Sequence, residues 1–253
     1  FEVRDYKKSR EYFQTLERYD LPVEIKAIIE FNILVIFHHL DERVHAILQA
    51  DKALKLYYYN HLWEHIAETY NILTVLYWKE EDYNTAINYA NKTLEIVKTH
   101  HLFEIQGRVF HNLGLIYKSL NDYDLAIKYF NKAIQLKEKL GLNKKSSYSS
   151  LLNIYSILKN ESSFYETLNK LDYNDIEFKY YETELDSTKI MNYEEQFKEY
   201  LEQDSKQINL RLAYVISKQL GNYYFKKRKY KLASIYLKKE IEYIKILKGD
   251  VLK

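Results

Sequence analysis

Side-chain amides recur along this chain in one register of an internal repeat. Asn32, Asn112, Asn153 and Gln219 fall in one column of an internal repeat, with Asn153 displaced by a one-residue insertion. Ile72 fills the same column, and Asn71 stands one place off it. An amide carries a carbonyl acceptor and an NH2 donor. A row of amides inside a groove can pair with the N–H and C=O of an extended peptide, whatever its side chains. Asn is a mediocre helix former, because its side chain competes for backbone hydrogen bonds. Its recurrence in otherwise good helices therefore asks for a reason. One reading makes the amides solvated or bonded to a neighbouring helix; the other makes Asn32, Asn71, Asn112, Asn153 and Gln219 a peptide-binding set. Arg108, one turn before Asn112, would project into the same groove. It suits either a ligand carboxylate or a surface ion pair.

Other chemistry is poorly supplied. His61 and His65 are four apart, a helical metal pair in spacing, but His61-Leu62-Trp63-Glu64-His65 completes no metallopeptidase motif. His100-His101 reads as a turn. Acidic runs such as Glu80-Glu81-Asp82 sit at helix starts, where negative charge meets the helix dipole. There is no phosphate-binding glycine loop and no nucleophile elbow. The sequence has no Cys, which excludes disulfides, thiol catalysis and Cys-based zinc sites. No catalytic residue, metal or cofactor is expected. The net charge of +2 makes no case for nucleic-acid binding. No apolar run is long enough to span a membrane. The basic run Lys226-Lys227-Arg228-Lys229 lacks interleaved aromatics and reads as a solvated hinge.

The elements that must carry the amides are helices. With 5 Gly and 1 Pro, the chain has little turn chemistry for a strand-rich fold. Residues 108–140 hold two apolar helical patterns around a polar hinge at Asn121-Asp122. Small residues stand at Gly114, Ala126 and Ala133, and large ones at Leu113, Tyr117 and Phe130. That alternation lets two antiparallel helices approach closely, and its spacing is that of a tetratricopeptide repeat. The pattern recurs at forty residues: Ile33, Leu73 and Leu113 align, as do Phe37, Tyr77 and Tyr117, Ala46, Ala86 and Ala126, and Ala53, Thr93 and Ala133. Helices are expected near 22–39, 43–59, 62–79, 83–99, 103–119 and 123–140, with Gly141 as a stop. The run Tyr57-Tyr58-Tyr59 is expected to pack between repeats.

Residues 1–20 read as the second helix of a further hairpin. Beyond Gly141 the pattern degenerates into shorter helices near 149–159, 164–171, 172–187 and 193–201, with a hinge at 204–207. It recovers in Leu220-Gly221-x-x-Tyr224 followed by Tyr230 and Ala233, and the last helix carries Ile241, Ile244 and Leu247. The expected fold class is all-α, a right-handed superhelical solenoid of tetratricopeptide-type hairpins. It would form a single domain over 1–253 with a concave inner face.

The stretch from Gly107 to Phe130 and the end from Tyr230 to Gly249 resemble the Rap family of Bacillus-type quorum-sensing receptors. The resemblance implies a cytoplasmic receptor for a short secreted and reimported peptide, with Asn112 contacting the peptide main chain. It also implies an N-terminal module acting on a response regulator, as an aspartyl-phosphate phosphatase or by blocking DNA binding. Neutral-protease-regulator receptors, which are similar, carry a helix-turn-helix there. No such module is legible here, so the chain, which opens Phe1-Glu2 without Met, is expected to be a fragment. No enzyme activity, membrane contact or direct nucleic-acid binding is expected within it, and a homodimer is left open. The competing expectation is a plain interaction scaffold holding a partner's helix or tail.

Overall fold

The computed structural model describes residues 6–16, 18–171, 175–203 and 209–248. These residues are helical throughout, with no strand among them. Their contacts group into two compact units, 1–151 and 152–253, with the division falling inside one helix.

The first unit holds α1 (Tyr6–Leu16), α2 (Val23–His39), α3 (Arg43–Tyr59), α4 (Trp63–Lys79), α5 (Tyr83–Thr99), α6 (Phe103–Ser119), α7 (Tyr123–Lys139) and the start of α8 (Lys145–Ile157). The six helices α2 to α7 are each 17 residues long. A repeated stop signal sets that length. Asp41, His61, Glu81, His101, Asn121 and Gly141, twenty residues apart, all have φ between 56° and 67°. Each left-handed residue closes a helix in the same way: the next N–H reaches back to a carbonyl in the last turn, as in Glu42 to Phe37 at 3.0 Å and Leu142 to Lys137 at 2.8 Å. Asp, Asn and Gly tolerate that conformation; His61, Glu81 and His101 adopt it against steric resistance. Asp82 and Asp122 cap the next helix, each accepting from a backbone N–H at 3.1 Å.

The aligned columns are the core. Ile33, Leu73 and Leu113 are each 1% exposed, and Ala46, Ala86, Ala126, Ala53, Thr93 and Ala133 are fully buried. Each of these side chains meets the neighbouring helix at the same height in successive hairpins, so an all-α solenoid of tetratricopeptide type results. The tyrosines form a second ladder. Tyr77 stacks on Tyr89 at 5.5 Å and Tyr117 on Tyr129 at 5.4 Å. Lys92 and Lys132 lie 5.1 and 5.2 Å from the Tyr89 and Tyr129 rings. In the tyrosine run, Tyr57 is fully buried and donates to the Ala27 carbonyl at 3.1 Å, and Tyr58 meets the Tyr70 hydroxyl at 2.9 Å. Tyr59 departs from the expectation and is 86% exposed.

The second unit holds the end of α8, then α9 (Glu161–Leu168), α10 (Asp175–Leu185), a 3-10 turn (Ser187–Lys189), α11 (Ile190–Glu202), α12 (Leu210–Lys226) and α13 (Tyr230–Lys248). The hinge expected at 204–207 lies outside the described residues. The pair α12–α13 restores the repeat, with Leu220, Tyr224 and Ala233 buried. In α13 the inward residues are Ala233, Tyr236 and Tyr243, whereas Ile241 and Leu247 face solvent. Helical spacing carries the buried stripe along 233, 236 and 243, and Ile241 falls off that face.

Candidate functional site

The expected amides behave in two different ways. In the first unit each makes one hydrogen bond within the fold. The Asn112 amide on α6 donates to the Asn71 carbonyl on α4 at 2.8 Å, and Asn71 is buried. One turn away, Arg108 on α6 forms an ion pair with Glu68 on α4. Asn32 donates to the Ile28 carbonyl of its own helix at 2.7 Å. Asn71, although off the column, is thus the residue that Asn112 meets. Beside Asn112, the His111 ring nitrogen lies 3.0 Å from the Ser147 hydroxyl. Burial, and then the charge of Lys137, push the pKa of His111 down to about 4.

In the second unit the amides line a cavity of about 540 Å³, within the usual range of small-ligand pockets. Its walls come from the end of α8 (Asn153, Ser156), from α10 (Thr183, Glu184), from the 3-10 turn and the start of α11 (Ser187, Thr188, Ile190, Met191), and from α12 (Gln219, Asn222, Tyr223, Lys226, with Lys227 just beyond). Asn153 and Asn222 make no side-chain hydrogen bond to any described residue. Gln219 is anchored through its carbonyl, 2.9 Å from the Thr183 hydroxyl, which leaves its NH2 without a partner among the described residues. Met191 is 63% exposed at the rim.

A polar knot fixes the α10–α11 wall. Glu182 accepts from Lys189 at 2.9 Å, Tyr165 at 3.1 Å and Tyr193 at 2.7 Å, tying α9, α10, the 3-10 turn and α11 together. Burial alone would raise the Glu182 pKa. The hydrogen bonds from Tyr193 and Lys189, with the Lys189 charge, hold it below the ordinary carboxylate range. On the α8 side, Ser156 donates to the Glu184 carbonyl oxygen at 2.6 Å and Lys159 to that of Leu185 at 2.8 Å. Apart from the Thr183–Gln219 bond, these wall contacts do not engage the cavity amides.

Sequence reasoning picked out Asn153 and Gln219 but missed Asn222, Met191, Lys226 and Lys227. Asn222 is three residues beyond Gln219 and so on the same helix face, a signal the column alone did not use. The lysines were read as a solvated turn; they do close α12, but beside the cavity.

The tetratricopeptide repeat family matches residues 107–140. No curated protein sequence matches. Among solved structures, the aspartyl phosphate phosphatase F of Bacillus subtilis superposes with a TM-score of 0.67 at 19% identity, over 98% of this chain and 66% of its own. A Rap protein complexed with Competence and Sporulation Factor gives a TM-score of 0.70 at 17% identity, over 96% of this chain and 71% of its own. The fold is the Rap fold. The Rap conjugation gene regulator of plasmid pLS20, in complex with the Phr* peptide, is similar too, with a TM-score of 0.58 at 15% identity over 98% of this chain and 70% of its own. The chain thus spans about two thirds of the length of the phosphatase it resembles. No helix among the described residues is long and apolar enough to cross a membrane.

Proposed function

We propose that this chain is the receptor part of a regulatory protein and that it binds a short linear peptide along its amides. The observation that carries the reading is the second-unit cavity, where Asn153, Gln219 and Asn222 present amide groups that the fold does not use. Two neighbours of the same fold are complexes with a signalling factor or peptide, which supports the ligand class. Asn112 keeps a carbonyl oxygen that the fold does not use, since only its NH2 is tied to Asn71. Asn32, Asn71 and Arg108 serve the scaffold that holds it. The receptor would act in the cytoplasm on a response regulator or on transcription, through a module outside this chain. Binding shifts the protein between conformers by no more than the difference in peptide affinity between them. Calorimetric titration of the whole chain with pentapeptides to heptapeptides tests this. Asn153→Ala should weaken a binding peptide by about 1–3 kcal/mol, the cost of leaving a buried peptide group unpaired. Failure of every peptide to bind the folded chain refutes the reading.

A scaffold for a partner helix or tail is the second reading. Val44 and Leu48, four apart on α3, are 69% and 62% exposed, an apolar pair suited to such a partner. On that reading Asn153→Ala changes nothing, and Val44→Asp abolishes binding.

A further inference from the structure

The cavity of the second unit carries charge as well as amides. Lys226 closes α12 and Lys227 caps it, both exposed, and both border the cavity. Neither forms an ion pair with a described residue; Lys227 only lies 6.0 Å from the Tyr223 ring. The acid of the same wall, Glu184, is already engaged, accepting from the Tyr180 hydroxyl at 2.7 Å. Cations at a helix C-terminus are favoured by the dipole in any case, but that accounts for their position in sequence and not for the amides beside them. Asn222 is one turn before Lys226, and Gln219 one turn before Asn222, so α12 presents amide, amide and ammonium in a row along the cavity. The same cavity is also lined by Ile190, which is buried, and Met191, which is exposed.

We infer that the cavity binds the C-terminal end of the peptide, with its free carboxylate held by Lys226 and Lys227 and an aliphatic last side chain against Ile190 and Met191. The inference rests on the peptide-receptor reading above and names the end that the second unit recognises. A terminal carboxylate is part of the main chain. It arrives in line with the backbone groups that Gln219, Asn222 and Asn153 would pair, whereas an Asp or Glu carboxylate stands off to the side. The size of the cavity agrees, since it holds a few residues and not the length of a heptapeptide.

The test uses the whole chain and two pools of randomised pentapeptides, one ending in free acids and one in C-terminal amides, with acidic side chains kept in both. Bound peptides are eluted and identified by mass spectrometry. Free acids should be enriched about tenfold or more over their amides, the effect of a charge-assisted hydrogen bond, and aliphatic residues should dominate the last position. The preference should vanish in Lys226→Gln/Lys227→Gln and return in Lys226→Arg/Lys227→Arg, each first shown to melt like the parent. Equal capture of acids and amides overturns the inference and leaves the peptide reading standing. A preference for acids that survives in the Gln variant also overturns it. Capture from neither pool overturns the peptide reading itself.

Discussion

Two glycines in one helix should respond to the same substitution with opposite signs. Gly107 and Gly114 both lie inside α6, so replacing either with Ala adds the same methyl and removes the same helix penalty. That penalty is about 1 kcal/mol for Gly relative to Ala. The surroundings differ. A Cβ on Gly107 would meet the Lys137 side chain at 3.5 Å, an ordinary contact with a flexible chain. A Cβ on Gly114 would lie 2.6 Å from the Phe130 ring, and three ring atoms fall within 2.9 Å. Phe130 is fully buried and also packs against the His111 ring at 5.4 Å, so it has nowhere to retreat. Overpacking of this kind costs about 1–3 kcal/mol. Gly107→Ala should therefore stabilise the chain by about 1 kcal/mol. Gly114→Ala should lose up to about 2 kcal/mol after its propensity gain is subtracted. In the second unit Gly221→Ala would press on Leu237, whose side chain atoms lie 2.7 and 2.8 Å away. Leu237 is only partly buried and can turn aside, so the loss there should be smaller. Urea denaturation followed by circular dichroism reads all three. Because Gly107 and Gly114 share a helix, their difference does not depend on how cooperatively the repeats unfold. A Gly114→Ala chain as stable as Gly107→Ala would refute the close approach of α6 and α7. So would the failure of Phe130→Leu to relieve Gly114→Ala in the double variant.

Two further outcomes follow from the polar contacts of α6. Single and double Ala substitutions at Asn71 and Asn112 should show a coupling of about 0.5–1.5 kcal/mol in the same denaturation assay, the worth of one hydrogen bond; additive effects would mean the amides do not pair. His111, held near a pKa of about 4 in the folded chain by burial and by Lys137, takes up its proton near 6.5 once unfolded. Its contribution is thus complete above about pH 6.5 and is lost as pH falls towards 4, by at most about 3 kcal/mol. His111→Gln should flatten that part of the stability–pH curve relative to the parent, and a curve of unchanged slope would count against the buried ring.

Helix boundaries were legible in the sequence to within a residue from α2 to α7, because the apolar columns repeat there every forty residues. The structure adds a second signal, a left-handed residue that closes a helix every twenty. Past Gly141 the second signal fails. Among the described residues Lys159 and Arg228 are the other left-handed non-glycines, and they keep no twenty-residue spacing. The short helices expected there at 149–159 and 164–171 are instead 145–157 and 161–168, shifted towards the N-terminus. The Ile241 stripe was misread for another reason: Ile241 stands where α7 has the buried Ile134, but no helix follows α13 among the described residues to cover that face.

The amides were legible in the sequence, but which of them the fold ties to one another was not, and the cause is geometric. An alignment column compares residue i with i + 40, but the side chains of successive inner helices do not all meet at that offset. Arg108 meets Glu68 forty residues away, whereas Asn112 meets Asn71 and Ser119 accepts from Trp78 forty-one away, the last at 2.9 Å. Asn32 faces Ile72 at one offset and Leu73 at the other, neither of which accepts a hydrogen bond, so it turns to its own backbone. A column of amides therefore does not by itself make a ladder open to a ligand. Where an amide has a partner one repeat away, it becomes a rung of the scaffold. In the second unit α9, α10 and α11 are shorter and interrupt the repeat spacing before α12, and Asn153 and Asn222 find no such partner among the described residues. The degeneracy that blurred the sequence pattern after Gly141 also leaves Asn153 without a partner one repeat away.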